Sequence, residues 1–272
     1  MESEATVRAN DLASADTRPW PARTQPRTPH AARRPFFARL RRLVSGVLLA
    51  AILLAGLGAV VGGFYLATLP SVSDAPQRVA AYLRLHHAIA TTPPAPQKIA
   101  AAIVAVEDHR FYANHGIDVI SMAHFAWGYL STGSTSEAGA TITEQLVKIL
   151  YIRDPGTPQG EMEMLGLSLK LNQSYSKAQI LTWYLDVVYY GHQAYGITQA
   201  AATYFHTTPA RLTWGEASLL AGLPQAPSAY DPFAHHDLAR MRQRHVLARL
   251  VAVGALTQAQ ADQAYAQTPT IP

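Results

Sequence analysis

The sequence of 272 residues contains no cysteine. This excludes disulfide bonds, thiolate metal sites and thiol nucleophiles, although it does not assign a cellular compartment. The chain also has no net positive charge outside its N-terminal region. Residues 1–42 hold nine Arg and four acidic residues, whereas the rest of the chain holds 13 basic and 14 acidic residues. A nucleic-acid-binding fold would carry its basic residues on the globular part, so the charge distribution argues against that class of function.

The N-terminal region predicts a membrane anchor. Up to about His30 the chain is rich in Pro, Ala, Thr and Arg, and residues 1–42 are expected to form a disordered, basic cytoplasmic tail. The uncharged run at residues 43–69 is long enough, as a transmembrane helix, to cross about 30 Å of hydrocarbon. The arginines before it place the N-terminus in the cytoplasm and the remaining chain outside; they are Arg33, Arg34, Arg39, Arg41 and Arg42. A cleaved signal peptide is the alternative, but its apolar region usually has only about 7 to 15 residues.

The remaining sequence predicts a mainly α fold. Residues 70–97 form a mixed connector that contains the breaker Thr91-Thr92-Pro93-Pro94. Residues 98–272 form the main domain, because apolar residues recur there at helical spacing and no alternating run predicts a strand. The apolar clusters are Ile99, Ile103 and Val106; Ile142, Leu146, Ile149 and Leu150; and Ile180, Leu181, Tyr184 and Leu185.

Two short motifs lie at predicted helix boundaries, the first at the end of a helix and the second at the start of another. The first closes the helix around Ile99 to Val106 and reads Glu107-Asp108-His109-Arg110-Phe111-Tyr112-Ala113-Asn114-His115-Gly116-Ile117-Asp118. Spacing alone would make Glu107 a surface acid at a helix end. The second reads Gly139-Ala140-Thr141-Ile142-Thr143-Glu144-Gln145-Leu146-Val147-Lys148. It predicts a helix start with Thr141 as N-cap and Glu144 at the capping-box position, and spacing would allow Lys148 an exposed salt bridge with Glu144.

A third, longer stretch runs from Ser176-Lys177 to Tyr230-Asp231-Pro232. It includes Tyr189-Tyr190-Gly191, Tyr195-Gly196-Ile197 and Leu219-Leu220-Ala221-Gly222-Leu223-Pro224-Gln225-Ala226-Pro227-Ser228. Together the three stretches resemble the motifs of glycosyltransferase family 51, the peptidoglycan glycosyltransferases that also form the transglycosylase domain of penicillin-binding proteins. The resemblance covers roughly residues 98–264, and core packing is the expected role of most residues in the third stretch.

The resemblance implies a lysozyme-like helical glycosyltransferase domain anchored in the bacterial cytoplasmic membrane. Such an enzyme polymerises a lipid-linked disaccharide-peptide precursor into glycan strands with inversion at the anomeric carbon. Its partners would be the precursor, the growing glycan chain, the membrane and other cell-wall synthesis proteins, without nucleic acid. A divalent cation, Mg²⁺ or Mn²⁺, would be its cofactor, with no organic cofactor. Glu107 would be the general base, and substrate contacts are implied for Asp108, Phe111, His115, Gly116, Thr141, Thr143, Gln145, Lys148 and Arg153.

The third family motif departs from the family pattern. It should contain two basic residues, two variable residues and a second glutamate, but the matching positions are Gly160, Glu161 and Met164. On a helix, Glu161 points about 60° and Glu163 about 100° away from Met164. A π-bulge or a shifted helix start would bring either acid into the cleft. The second catalytic carboxylate is therefore expected from Glu161 or Glu163, and a catalytically weakened chain is the alternative.

Smaller departures affect the same chemistry. The family has Arg, Asn and Gly where this sequence has His124, Asp186 and His206. Arg153 is the nearby basic residue left to support Lys148 at the pyrophosphate. Binding of the doubly charged leaving group is therefore the step that these changes affect most.

Three other functions compete with this interpretation. Ser174-Tyr175-Ser176-Lys177 spells the Ser-x-x-Lys of serine acyltransferases, but the partner motifs Ser-Asp-Asn and Lys-Thr-Gly do not occur. A metal hydrolase would have to use His109, His115 and His124, whose spacings match no familiar helical zinc pair. The third alternative is a catalytically degenerate family member that acts as a membrane-bound scaffold in cell-wall synthesis, and the residue that favours it is Met164.

Overall fold

The structure is a computed structural model that describes residues 34–91, 94–120 and 140–269. The predicted disorder up to about His30, the start of the second motif at Gly139 and the departure at His124 lie outside the described residues. The chain divides into two compact units, Met1–Ala59 and Val60–Pro272. The three stretches that resemble the family motifs all lie in the second unit.

The first helix contains the predicted anchor. Helix α1 runs from Arg34 to Thr68, so residues 34–42, which the sequence analysis assigns to the disordered tail, are helical. Its stretch Leu40–Thr68 contains an 18-residue window with a mean hydropathy of 2.5, and it is long and apolar enough, by length and composition, to cross a membrane. This stretch coincides with the run at residues 43–69 that the sequence predicts to be a transmembrane helix.

The second unit is mainly α-helical, as the sequence predicts. Among the described residues no strand occurs, and the only extended pairing is an isolated antiparallel bridge between Tyr189 and Tyr195. Helix α2 lies inside the predicted connector and α3 begins at its last residue. The helices are α2 (Ala75–Leu85), α3 (Gln97–Glu107), α4 (Ile142–Leu150), α5 (Pro158–Ser174), α6 (Lys177–Val187), α7 (Ile197–Phe205), α8 (Trp214–Gly222), α9 (His236–Ala252) and α10 (Gln258–Gln267), with a 3₁₀ turn at Pro209–Arg211.

The start of α4 is fixed by the predicted capping box. The Thr141 hydroxyl accepts a hydrogen bond from the Glu144 backbone N–H at 3.1 Å, and the Glu144 carboxylate accepts one from the Thr141 backbone N–H at 2.6 Å. These two bonds satisfy donors that the first helical turn would otherwise leave unpaired. Three further helices begin with the same device, at Ser176/Gln179, Thr213/Glu216 and Thr257/Gln260. Glu144 therefore has a structural role, and the exposed salt bridge to Lys148 is absent among the described residues.

The core brings the first two motifs together. Helix α8 packs against α3 and α9, and α4 packs against α5 and α6. The end of α3 and the start of α4 are joined directly, because the Ile142 backbone N–H donates to the Asp108 carboxylate at 3.2 Å. The Thr141 hydroxyl also donates to the Gly116 carbonyl at 2.7 Å. Two motifs that are separated by 20 residues in the sequence, 119–138, therefore share one local structure.

The last turns of α1 belong to the second unit and pack on α5. A Cβ atom at Gly166 would overlap Leu69 Cδ1 and lie 3.3 Å from Leu66 Cδ2, so a side chain does not fit there without movement. The Lys170 ammonium donates to the carbonyls of Leu69 at 2.6 Å and Pro70 at 3.2 Å. These contacts satisfy carbonyls that the end of a helix leaves unpaired.

Candidate active site

The first two motifs line one side of a cavity of about 810 Å³ in the second unit. Helix α3 contributes Glu107 at its last residue, and α4 contributes Gln145 and Lys148. Helix α9 contributes Arg242 and Arg249, and Arg242 follows Glu107 by 135 residues in the sequence. Three helices distant in sequence thus combine a carboxylate with several cations.

Glu107 is held from two sides. The Gln145 side-chain amide donates to one carboxylate oxygen at 2.8 Å, and the Arg242 guanidinium lies 3.8 Å from the other. Only 12% of the Glu107 side chain is exposed. Burial raises the pKa of Glu107 above its usual value and Asp108 adds to the rise, while Gln145 and Arg242 oppose it. A carboxylate with a raised pKa is a stronger base than one with the usual pKa.

Asp108 connects the motifs. Its carboxylate accepts two bonds from the Asn114 amide, at 2.9 and 3.0 Å, besides the bond from Ile142. The Asn114 oxygen in turn accepts from the Lys177 ammonium at 2.8 Å. Burial raises the pKa of Asp108, and these partners counteract the rise. Asp108 lines the cavity, but its oxygens are already engaged, and its contact with a substrate stays a prediction.

The other predicted substrate contacts of the first two motifs divide into two groups. Thr141 lines the cavity together with Gln145 and Lys148. By contrast, Phe111 is fully buried beneath the Lys177 ammonium, 4.5 Å from its ring centroid, and Thr143 is fully buried too. Gly116 has φ +97°, and a Cβ there would lie 2.5 Å from the Ser168 carbonyl oxygen, so this position requires glycine.

His115 is exposed and does not line the cavity. The structure therefore does not bring Phe111, Thr143, Gly116 or His115 to the cavity. Their substrate contacts stay predictions.

A second cavity of about 710 Å³ lies at the start of α5. Arg153 and Glu163 line it, together with Thr157, whose hydroxyl caps α5 by accepting from the Gly160 backbone N–H at 3.0 Å. Lys148 and Arg153, which the resemblance assigns to one pyrophosphate, therefore line different cavities. Lys148 is exposed and has no ion-pair partner among the described residues.

The predicted second carboxylate does not lie in the Glu107 cavity. Glu163 faces the second cavity, and Glu161 is exposed and lines neither. Met164 is 8% exposed and belongs to the hydrophobic core. Helix α5 is α-helical from Pro158 to Ser174, so the π-bulge, one of the two ways in which either acid could have entered the cleft, does not occur. The roles of Glu161 and Glu163 stay predictions.

The sequence interpretation missed two parts of this site. The first is the basic wall of Arg242, His245 and Arg249, whose spacing of three and four residues puts them on one face of α9. That spacing is a signal that the sequence does contain. The second is Tyr184, whose hydroxyl donates to the Gln145 amide oxygen at 2.9 Å. Nothing in the sequence distinguishes Tyr184 from an ordinary core aromatic residue.

Comparison with known proteins identifies the family. The Transglycosylase family model matches residues 77–251. Penicillin-binding protein 1A of Neisseria gonorrhoeae is 38% identical over 169 residues, which cover 62% of this chain and 21% of that protein. The Escherichia coli protein of the same name is 36% identical over 168 residues, covering 62% and 20%. The chain thus spans about a fifth of the length of these relatives.

A crystal structure of penicillin-binding protein 1A from Haemophilus influenzae superposes with a TM-score of 0.41 and 21% identity, over 68% of this chain and 18% of that chain. The family model spans well over half of the present sequence and includes the cavity from Glu107 to Arg249. The chain belongs to the transglycosylase family.

Proposed function

We propose that this chain is a peptidoglycan glycosyltransferase that polymerises a lipid-linked disaccharide-peptide precursor into glycan strands. The observation that carries the proposal is the Glu107 cavity, where a partly buried carboxylate with a raised pKa shares one space with Lys148 and the basic wall of α9. A base and an electropositive surface are the two elements that transfer from a pyrophosphate donor requires.

In the proposed reaction the 4-hydroxyl of the acceptor sugar attacks the anomeric carbon of the donor. Glu107 takes the hydroxyl proton as the new C–O bond forms. The bond between the anomeric carbon and the pyrophosphate oxygen breaks on the opposite face, which inverts the configuration. The electron pair leaves with the polyprenyl pyrophosphate, whose charge Lys148 stabilises. Contact with Arg153 requires the donor to extend to the second cavity.

A protein-held metal ion does not fit the described residues. No group of three or more His, Asp or Glu side chains that could hold a metal comes together within residues 34–91, 94–120 and 140–269. The proposed reaction therefore does not use an ion that the protein alone would hold. We propose that a divalent cation, Mg²⁺ or Mn²⁺, arrives with the donor, whose pyrophosphate supplies the oxygen ligands that such ions prefer.

The anchor supports a lipid-linked substrate. Donor and acceptor both carry polyprenyl tails in this proposal, so a membrane helix confines enzyme and substrates to one surface and raises their effective concentration. The arginines before Leu43 support an orientation in which residues 70–272 lie outside the cytoplasmic membrane. A reporter fused after Pro272 that is active only outside the cytoplasm would agree with this orientation. Activity of the same fusion in the cytoplasm would overturn it.

The function is tested by supplying the detergent-solubilised full chain with labelled lipid-linked precursor. The expected product is a glycan polymer that a muramidase degrades to disaccharide units. A folded chain that forms no polymer, with or without Mg²⁺ or Mn²⁺, would refute the glycosyltransferase proposal. That outcome would leave the membrane-bound scaffold as the function to test.

A further inference from the structure

We propose that Tyr184 is a positioning residue for the base: its hydroxyl fixes the side-chain amide of Gln145, which in turn fixes the carboxylate of Glu107. Tyr184 on α6 is fully buried and does not line the cavity. It reaches the base only through Gln145, by the Tyr184 hydroxyl to Gln145 oxygen distance of 2.9 Å and the Gln145 nitrogen to Glu107 oxygen distance of 2.8 Å. The inference rests on the proposed function, in which Glu107 is the base.

The surroundings of the Gln145 amide allow only one orientation. Its nitrogen faces two acceptors, the Glu107 carboxylate at 2.8 Å and the Ala140 carbonyl at 3.2 Å. Its oxygen faces one donor, the Tyr184 hydroxyl. Burial raises the pKa of Tyr184 well above its usual value, so this hydroxyl keeps its proton and remains a donor. A flipped amide would set oxygen against two acceptors and would leave the hydroxyl without its partner.

This orientation matters for the base in two ways. The amide N–H stabilises the ionised form of Glu107 and so opposes the rise in pKa that burial causes. It also occupies one oxygen of the carboxylate, which directs the other oxygen toward Arg242. Without the tyrosine hydroxyl, the oxygen of the Gln145 amide has no donor to hold it, and the amide can rotate. For part of the time Glu107 then lacks both the stabilising N–H and the fixed direction of its carboxylate.

Other charged and titratable groups around Glu107 also influence its protonation. Asp108 and Arg242 have direct electrostatic effects on it. The charge of Glu107 in turn helps to raise the pKa values of Tyr184 and Tyr190. The cavity wall adds His109, Asp118, Lys148, His245 and Arg249. None of these groups changes in a Tyr184→Phe variant, which removes one hydroxyl from the core.

The direct test is the titration of Glu107 by NMR of side-chain ¹³C-labelled glutamate in the detergent-solubilised full chain, with the signal assigned by its loss in Glu107→Gln. Tyr184→Phe should move the titration midpoint of Glu107 upward by about half to one pH unit, as expected for weakening one hydrogen bond to a carboxylate. The midpoint does not depend on turnover. If the proposed function is wrong, no polymer forms; if this inference is wrong, the Glu107 midpoint does not move in Tyr184→Phe. The two failures are thus distinguishable.

Tyr190→Phe is the matched control. Tyr190 is also fully buried, and its hydroxyl has no hydrogen-bond partner among the described residues. This variant should leave the Glu107 midpoint in place. An equal shift in Tyr184→Phe and Tyr190→Phe would assign the effect to general disturbance of the core and overturn the inference.

Two further measurements decide whether the effect passes through Gln145. Gln145→Ala should shift the midpoint at least as far as Tyr184→Phe, and the double variant should shift it no further than Gln145→Ala alone. The acid limb of the kcat/KM profile should follow the same order, whereas a purely structural defect would lower activity equally at all pH values. An unmoved midpoint in Gln145→Ala would overturn the inference even if Tyr184→Phe does not fold.

Discussion

The two cavities are built in different ways. The Glu107 cavity takes its charged residues from α3, α4 and α9, which are far apart in sequence and are held by core packing. Within the described part of the chain, the second cavity is lined by residues between Tyr151 and Glu163, a single loop and the first turns of α5. The first cavity is therefore constrained by many distant contacts, and the second depends on one short segment. Substitutions in the third motif can change the second cavity while leaving the base in place.

Glu107→Gln tests the first cavity and should have the largest effect. The substitution keeps the shape and removes the base, so activity should fall by at least about a hundredfold. Polymerisation of lipid-linked precursor measures the loss, with circular dichroism to verify folding. The matched control is Glu163→Gln, the same chemical change in the second cavity, which should cost less. Near-normal polymerisation by Glu107→Gln would remove this residue from the mechanism.

The two cations provide the next comparison. Lys148 shares a cavity with Glu107 whereas Arg153 does not. Loss of one group that stabilises transition-state charge typically costs about a hundredfold or more. Lys148→Met should therefore reduce kcat by about that factor, and Arg153→Met should reduce it by about tenfold or less. Equal losses in the two variants would mean that the donor spans both cavities.

The next prediction concerns the second catalytic carboxylate, which the sequence analysis expects from Glu161 or Glu163. A Glu161→Ala, Glu163→Ala double variant should lose activity by several-fold, and Glu163→Ala alone should account for most of the loss because Glu163 lines the cavity. Polymerisation rates of the single and double variants measure this order. Full activity of the double variant would mean that no second carboxylate is needed. If the parent becomes active only after Met164→Glu, the scaffold function is supported. The melting temperature of this variant should be checked, because position 164 is buried.

Asp186→Asn should have the smallest effect on activity and a measurable effect on stability. Burial raises the pKa of Asp186 to about 6, although its carboxylate accepts a bond from the Thr91 backbone N–H at 2.7 Å. Because the folded pKa exceeds the unfolded value of about 3.9, the folded state binds the proton more tightly, and stability falls as pH rises from about 4 to about 6.

Asparagine avoids this loss and keeps the oxygen that accepts from Thr91. Asp186→Asn should therefore melt a few degrees higher than the parent at pH 7.5, for a gain of at most about 3 kcal/mol. The difference should shrink toward zero near pH 4. A difference that is constant with pH would contradict this account.

The fold was more predictable from the sequence than the site. The helical spacing of Ile142, Leu146 and Leu150 and the Thr141 capping box are local signals, and the structure bears both out. The contact between Glu107 and Arg242 depends on the packing of α9 against α3, which no local pattern specifies. The burial of Phe111 also depends on contacts between distant residues. Its motif predicts a substrate contact, but only the position of Lys177 in the fold shows that the ring is covered.

The contact at Gly166 bears on how the chain can be shortened. The compact unit begins at Val60, inside the apolar helix, and Leu66 and Leu69 occupy the space that a side chain at position 166 would need. A shortened, water-soluble chain that starts after Pro70 would lose these apolar side chains and the carbonyls to which Lys170 donates. It would expose an apolar groove beside an ammonium group without its acceptors. A shortened version designed for crystallisation should therefore retain residues 65–70.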